Sequence, residues 1–177
     1  MGTEFKAIAL VGRHADARVA EPMQTLARHL TARGCDVSAA ATLELELEAR
    51  RIPEASLCED ADLAIAIGGD GTMLYAGRLA RDSGTPILGV NRGRLGFLAD
   101  ITPDEMISSV DQVLAGNYQK DARMMLEARF GTAEGETVSE FGLNDVVLQR
   151  RGADGMVDFS TYIDGRFVNT HSGDGLI

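Results

Sequence analysis

The stretch Ala61-Asp62-Leu63-Ala64-Ile65-Ala66-Ile67-Gly68-Gly69-Asp70-Gly71-Thr72 constrains this chain more than any other. It opens as a short apolar run rich in branched residues, the pattern of a buried parallel strand. It closes in three glycines around Asp70 and Thr72, and Met73 to Arg81 then reads as a helix. Strand, tight glycine turn, helix is the geometry in which open α/β sheets hold nucleotides. The glycines tolerate φ > 0 and let a phosphate or a second backbone come close. The helix amides near Gly71 and Thr72 are expected to face outward without intrahelical partners, suited to an anion. Asp70 repels a phosphate, so a carboxylate there needs a role of its own, either holding a metal or accepting a proton from a hydroxyl. Asp70 and Thr72 can also be read as helix caps alone. A cap, however, does not require the bare backbone of Gly68 and Gly69 on the strand side.

The flanking sequence extends the same pattern. Phe5 to Val11 is an apolar run ending at Gly12 and predicts the first strand. A helix is expected from a cap near Asp16 through Arg33, with Met23, Leu26, Ala27 and Leu30 as its buried stripe and Gly34 as its stop. Asp36 to Ala41 predicts a second strand. Leu43-Glu44-Leu45-Glu46-Leu47-Glu48 has the period of a strand but the residue types of a helix; helix is favoured, with the glutamates as a solvated face. Pro53 breaks what precedes it. Pro86 to Asn91 is a further buried strand, and Asn91 sits at its end, where ligands collect in such sheets. In the following Arg92-Gly93-Arg94-Leu95-Gly96-Phe97-Leu98, Phe97 is either a core residue, which spacing favours, or a stacking platform for a base. Thr102, Pro103 and Glu105 mark a helix start, and Gly116 its end.

From about Asp121 or Ala122 the pattern changes to strands in hairpins. Met124–Phe130 and Thr137–Gln149 flank a polar turn. Val157–Asp164 alternates strictly, turns at Gly165-Arg166 and resumes at Phe167. The expected organisation is a Rossmann-like α/β domain over 1–121, with a parallel sheet and helices, and the first part of a mostly-β domain over 122–177. Leu143-Asn144-Asp145-Val146-Val147 places a polar pair inside an apolar strand, which calls for partners. Bulge, turn or ribose clamp all remain open for it. Gly173-Asp174-Gly175 repeats the Gly-Asp-Gly theme near the chain end, and an ending on Leu176-Ile177 is read as an incomplete domain.

Charge and composition narrow the function classes. The 177 residues carry a net charge of −10 without a basic stripe, which argues against nucleic acid and anionic membranes as partners. No apolar run approaches a membrane span, and no signal peptide begins the chain. Cys35 and Cys58 fit no metal spacing and suit a reducing, cytoplasmic setting. His14 and His29 lack partners at metal spacing.

Gly68-Gly69-Asp70-Gly71-Thr72 is a motif shared by NAD kinases, diacylglycerol-type lipid kinases and phosphofructokinases. Taken in order with Asn91-Arg92-Gly93-Arg94-Leu95-Gly96-Phe97-Leu98, Leu143-Asn144-Asp145-Val146-Val147 and Gly173-Asp174-Gly175-Leu176-Ile177, it makes the whole chain resemble the bacterial NAD kinases. The resemblance implies phosphorylation of the adenosine ribose 2′-hydroxyl of NAD by ATP, with a divalent metal, Mg²⁺, and assembly as a homodimer or homotetramer. It implies that Asp70 bonds the ribose hydroxyl and acts as base. Gly68, Gly69, Gly71 and Thr72 would shape the phosphate side, with Asn91 beside them. Phe97 would line the adenine pocket, Asn144 and Asp145 would hold NAD, and Asp174 would meet its nicotinamide end. No residue is assigned to the metal. Many members carry Glu where this chain has Asp145, and the family's following Thr-Pro-Thr-Gly-Ser-Thr-Ala-Tyr type loop has no counterpart here. The alternatives are a catalytically incomplete nucleotide-binding fragment of the same family and, less favoured by the Asn144-Asp145 pair, a lipid kinase.

Overall fold

A computed structural model describes residues 4–12, 17–92, 98–99, 101–132, 135–150 and 155–177. The chain divides into two compact units, Met1–Arg123 and Met124–Ile177.

The first unit is built on a parallel sheet of five strands: β1 (Ala7–Gly12), β2 (Asp36–Ala40), β3 (Arg50–Ile52), β4 (Leu63–Gly68) and β5 (Ile87–Asn91). Their spatial order is β3-β2-β1-β4-β5. The order reverses between β1 and β4, and the carboxyl ends of strands at such a switch point form a crevice. β4 shows why the sequence reads as it does. Leu63, Ile65 and Ile67 send large side chains to one face, while Ala64 and Ala66 line the other, and all six residues of the strand are buried. The face with large side chains packs on α1 (Ala17–Ala32) and α3 (Met106–Leu114); the alanine face lets α2 (Asp70–Ala80) lie close. In α1 the expected stripe Met23, Leu26, Ala27 and Leu30 is fully buried. Burying each of its large side chains contributes about 1.5–3 kcal/mol. The cap expected near Asp16 lies outside the described residues. Gly34, at φ +80°, follows α1 and provides the left-handed turn.

Two features hold the ends of the sheet. The Asp62 carboxylate accepts the amides of Lys6 and Ala7, each at 2.8 Å, tying the start of β1 to β4. Those two hydrogen bonds hold its pKa below the usual aspartate range. On the helical face, Asp111 of α3 meets His29 Nε2 at 2.7 Å and the Arg33 guanidinium, joining α3 to the end of α1.

Several expectations need correction. Leu43 to Glu48 is neither helix nor strand. It is an irregular connection, bent at Leu45 and Glu48, in which Leu43, Leu45 and Leu47 rest on the core, so the period of two is real but no ladder forms. Arg51 donates to the carbonyls of Ala40, Leu43 and Leu45, and Gln24 to that of Glu46, satisfying backbone that a helix would have paired internally. The short edge strand β3 is an addition to the expected set. A 3₁₀ turn, Pro103–Glu105, precedes α3, and the Thr102 hydroxyl bonds the Glu105 carboxylate at 2.8 Å instead of capping the backbone.

In the second unit, β6 (Leu126–Gly131) pairs with β7 (Thr137–Gly142), β9 (Val157–Ile163) with β10 (Arg166–Gly173), and the short β8 (Leu148–Gln149) with β11 (Gly175–Leu176), all antiparallel. Asp164 and Gly165, both at positive φ, make the β9–β10 turn, one residue earlier than expected. Every large apolar side chain that is exposed among the described residues belongs to this unit, and none of the buried core does.

Candidate functional site

The glycine turn lies where β4 runs into α2. Gly68 is its last strand residue and pairs with Asn91 at the end of β5, so the GGDGT stretch and Asn91 share one edge of the sheet. The helix begins at Asp70, three residues ahead of the predicted start, with Gly69 as N-cap and no side-chain cap. Asp70 and Thr72 are therefore first-turn residues, and the capping reading fails. Asp70 bonds elsewhere: its Oδ1 accepts the Leu98 amide at 3.0 Å. A carboxylate in the first turn also suits the positive end of the helix macrodipole.

The glycines differ in what they do. None of Gly68, Gly69 and Gly71 has positive φ, so backbone freedom does not explain them. At Gly68 an added Cβ would stand 2.6 Å from Thr72 Cβ and 3.1 Å from its Cγ2; the bare strand end makes room for a buried Thr72. At Gly69 and Gly71 an added Cβ meets no described atom within 4 Å. The Thr72 amide does not face outward unpaired as expected. Together with that of Met73 it bonds the Gly69 carbonyl, at 2.8 and 3.2 Å.

Asn91 is 2% exposed. Its side-chain amide donates to the Ala99 carbonyl at 3.4 Å and its backbone amide to that of Ile101 at 2.8 Å. Its position at the strand end is as expected, but these bonds are made to the chain itself. Ala99 is buried over Gly89, where an added Cβ would stand 2.9 Å from the Ala99 Cβ and 2.7 Å from Met73 Sδ. Sequence reasoning missed Leu98 and Ala99 as the partners of Asp70 and Asn91, and Gly89 as the seat of Ala99. A glycine inside the apolar run Ile87 to Val90 was the available signal, since it marks a close approach. Phe97 lies outside the described residues.

The remaining candidates belong to the second unit. Asn144 and Asp145 are not inside a strand: β7 ends at Gly142, and the pair sits on an exposed connection before β8. Exposure removes the burial problem that the sequence suggested. The chain folds back tightly there, with the Asp145 carbonyl 2.8 Å from where a Gly142 Cβ would be. Asp174 turns the chain between β10 and β11. Its carbonyl accepts the Arg150 amide at 3.0 Å, and its 82% exposed carboxylate lies 3.9 Å from the Arg150 guanidinium. The β8–β11 ladder links the two motifs: Asp174 stands at its Arg150 end, and Asn144 and Asp145 precede the other. Among the described residues no group of three or more His, Cys, Asp or Glu gathers as for a metal, and no helix is long and apolar enough to cross a membrane.

Residues 8–118 match the family model of the ATP-NAD kinase N-terminal domain. The NAD kinase of Chromohalobacter salexigens is 42% identical over 176 residues, 98% of this chain and 60% of that protein. That of Paraburkholderia phytofirmans is 39% identical over 178 residues, 99% and 59% respectively. Among solved structures, yeast NADH kinase complexed with NADH matches with a TM-score of 0.82 at 20% identity, covering 96% of this chain and 56% of that one. An NAD kinase from Archaeoglobus fulgidus in complex with ATP matches with a TM-score of 0.64, also at 20% identity, covering 96% and 58%. These likenesses show a shared fold. The chain spans about 60% of the length of the curated relatives it matches.

Proposed function

Since the chain belongs to the ATP-NAD kinase family, we propose that it is part of an enzyme that transfers a phosphoryl group from ATP to the adenosine ribose 2′-hydroxyl of NAD, giving NADP. The observation that carries the reading is Asp70, a carboxylate fixed at the carboxyl end of a parallel sheet, in the first turn of α2 and between two glycines whose Cβ positions meet no described atom within 4 Å. Phosphoryl transfer needs alignment and charge stabilisation more than covalent work by the protein. The bare backbone at Gly69 and Gly71 lets phosphate oxygens approach the positive end of α2, and Asp70 orients and deprotonates the attacking hydroxyl. Family membership favours this over the lipid-kinase alternative.

Mg²⁺ in such reactions is held by one or two carboxylates and mainly by substrate phosphates. A metal carried by the nucleotide asks for few carboxylates of the protein. Bound there, it neutralises phosphate oxygens. The second unit, through Asn144, Asp145 and Asp174, takes the NAD side, and the complete protein works in the cytoplasm as a homodimer or homotetramer. By itself this chain is read as a nucleotide-binding portion, which its span of about 60% of its relatives' length supports.

The test incubates the full-length protein containing this segment with NAD, ATP and Mg²⁺ and assays the product with an NADP-specific dehydrogenase. NADP formation that depends on ATP is expected. Hydrolysis of ATP without any 2′-phosphorylated product overturns the reading.

A further inference from the structure

Three separate contacts converge on the short stretch carrying Leu98, Ala99 and Ile101. The Leu98 amide is held by the Asp70 carboxylate at 3.0 Å. The Ala99 and Ile101 carbonyls are both held by Asn91, one by its side chain and one by its backbone amide. The Ala99 methyl fills a notch over Gly89 that Met73 closes from α2, and Ile101 bridges Val90 in parallel fashion. The stretch thus crosses the carboxyl end of β5, the edge at which open α/β sheets receive ligands. Two motif residues, Asp70 and Asn91, spend polar groups on it. A buried asparagine needs partners, and here the chain itself provides them.

We propose that Asp70 and Asn91 act as positioning residues for this stretch, with Gly89 as the seat that sets its height, and that the clamp governs affinity for NAD and not the rate of phosphoryl transfer. The inference deepens the kinase reading and rests on it for its kinetic part. Asp70 then serves twice, once towards substrate and once towards the Leu98 amide. The second function needs only an oxygen acceptor, which asparagine also has. Gly89 lies in β5, outside the glycine turn; an added Cβ there meets Ala99 and the thioether end of Met73, and of the two only Ala99 belongs to the stretch.

Two measurements decide it. The first is amide hydrogen exchange on this chain without ligand, comparing wild type, Asp70→Asn and Asp70→Ala. The Leu98 amide should exchange at least about fivefold faster in Asp70→Ala, the weight of one net hydrogen bond. It should keep its protection in Asp70→Asn, and the Asn91 amide should be unaffected in both. Equal Leu98 exchange in wild type and Asp70→Ala overturns the clamp, as does equal loss in Asp70→Asn. The second is steady-state kinetics of the full-length protein with Gly89→Ala. The KM for NAD should rise about fivefold, as for one lost contact of that weight, with kcat unchanged. An unchanged KM, or a fall in kcat alone, overturns the proposal. If Gly89→Ala does not fold, the exchange comparison carries the test. Should the full-length protein fail to phosphorylate NAD, the kinase reading falls while the exchange result still decides the clamp.

Discussion

Replacing Gly68 by alanine tests whether the glycine turn is shaped by its own threonine. The added Cβ would lie 2.6 Å from Thr72 Cβ and 3.1 Å from Cγ2, where carbon atoms ordinarily rest at about 3.5–4.0 Å. Neither side can easily withdraw: Gly68 is paired in the ladder with Asn91, and Thr72 is buried in the first turn of α2. Overpacking of this kind costs about 1–3 kcal/mol. Replacing a strand glycine returns about 0.5–1 kcal/mol. The steric term wins, and a net loss of about 1–2 kcal/mol lowers the melting temperature by about 2–8 °C at this chain length. The assay is a double-mutant cycle followed by thermal melting. In the Thr72→Gly background the colliding atoms are gone, so Gly68→Ala should be neutral or stabilising. Thr72→Ala keeps the Cβ and should rescue only in part. An equal loss in the Thr72 and Thr72→Gly backgrounds refutes the steric account.

In the full-length enzyme Asp70→Asn should lower turnover by about 10²–10⁴-fold, the usual contribution of a positioned base, and near-normal turnover would remove that role. Phe97→Ala should raise the apparent constant for NAD more than that for ATP, since stacking on a base is worth about 1–3 kcal/mol; equal effects on both would make Phe97 a core residue. The depressed pKa of Asp62 means that its contribution is fully present above the ordinary aspartate range and is lost as pH falls through the lowered folded value. Asp62→Asn should therefore destabilise the chain at neutral pH, with the difference closing in acid, and a gap constant with pH would contradict this. Burial raises the Cys58 thiol pKa, so at pH 8 a thiol reagent should modify it only after denaturant is added; rapid labelling of native protein would show the alanine face to be open.

The α/β unit was legible in the sequence because its signals are local and redundant. Alternating large and small side chains in Leu63 to Ile67 announce a strand covered on both faces, and the stripe Met23 to Leu30 can bury itself in only one way. What escaped was set by tertiary partners. Leu43 to Glu48 carries helix-forming residues, yet the donors of Arg51, Gln24 and Thr31 take its carbonyls and hold it out of a helix. Asn144 and Asp145 looked buried because valines follow them, but Val146 and Val147 are themselves exposed, so the apolar run did not mean an interior. At the site, residue types pointed to the turn and to Asn91. The hydrogen bonds that occupy Asp70 and Asn91 were invisible, because their partners lie 28 and 8 residues away.

Gly68 is accounted for by Thr72, and Gly89 by Ala99 and Met73; the fold needs both glycines whatever the chain binds. Gly69 and Gly71 have no such account. Their φ values are not positive, and a Cβ at either would meet no described atom within 4 Å. Gly71 is the second residue of α2, in its first turn. We read two glycines that no contact among the described residues requires as room for something that comes closer to the backbone than a methyl group allows. In the first turn of a helix, beside a sheet edge, that is the requirement of a phosphate. On this proposal the functional weight of the motif falls on Gly69 and Gly71, on either side of an Asp70 whose carboxylate holds the Leu98 amide.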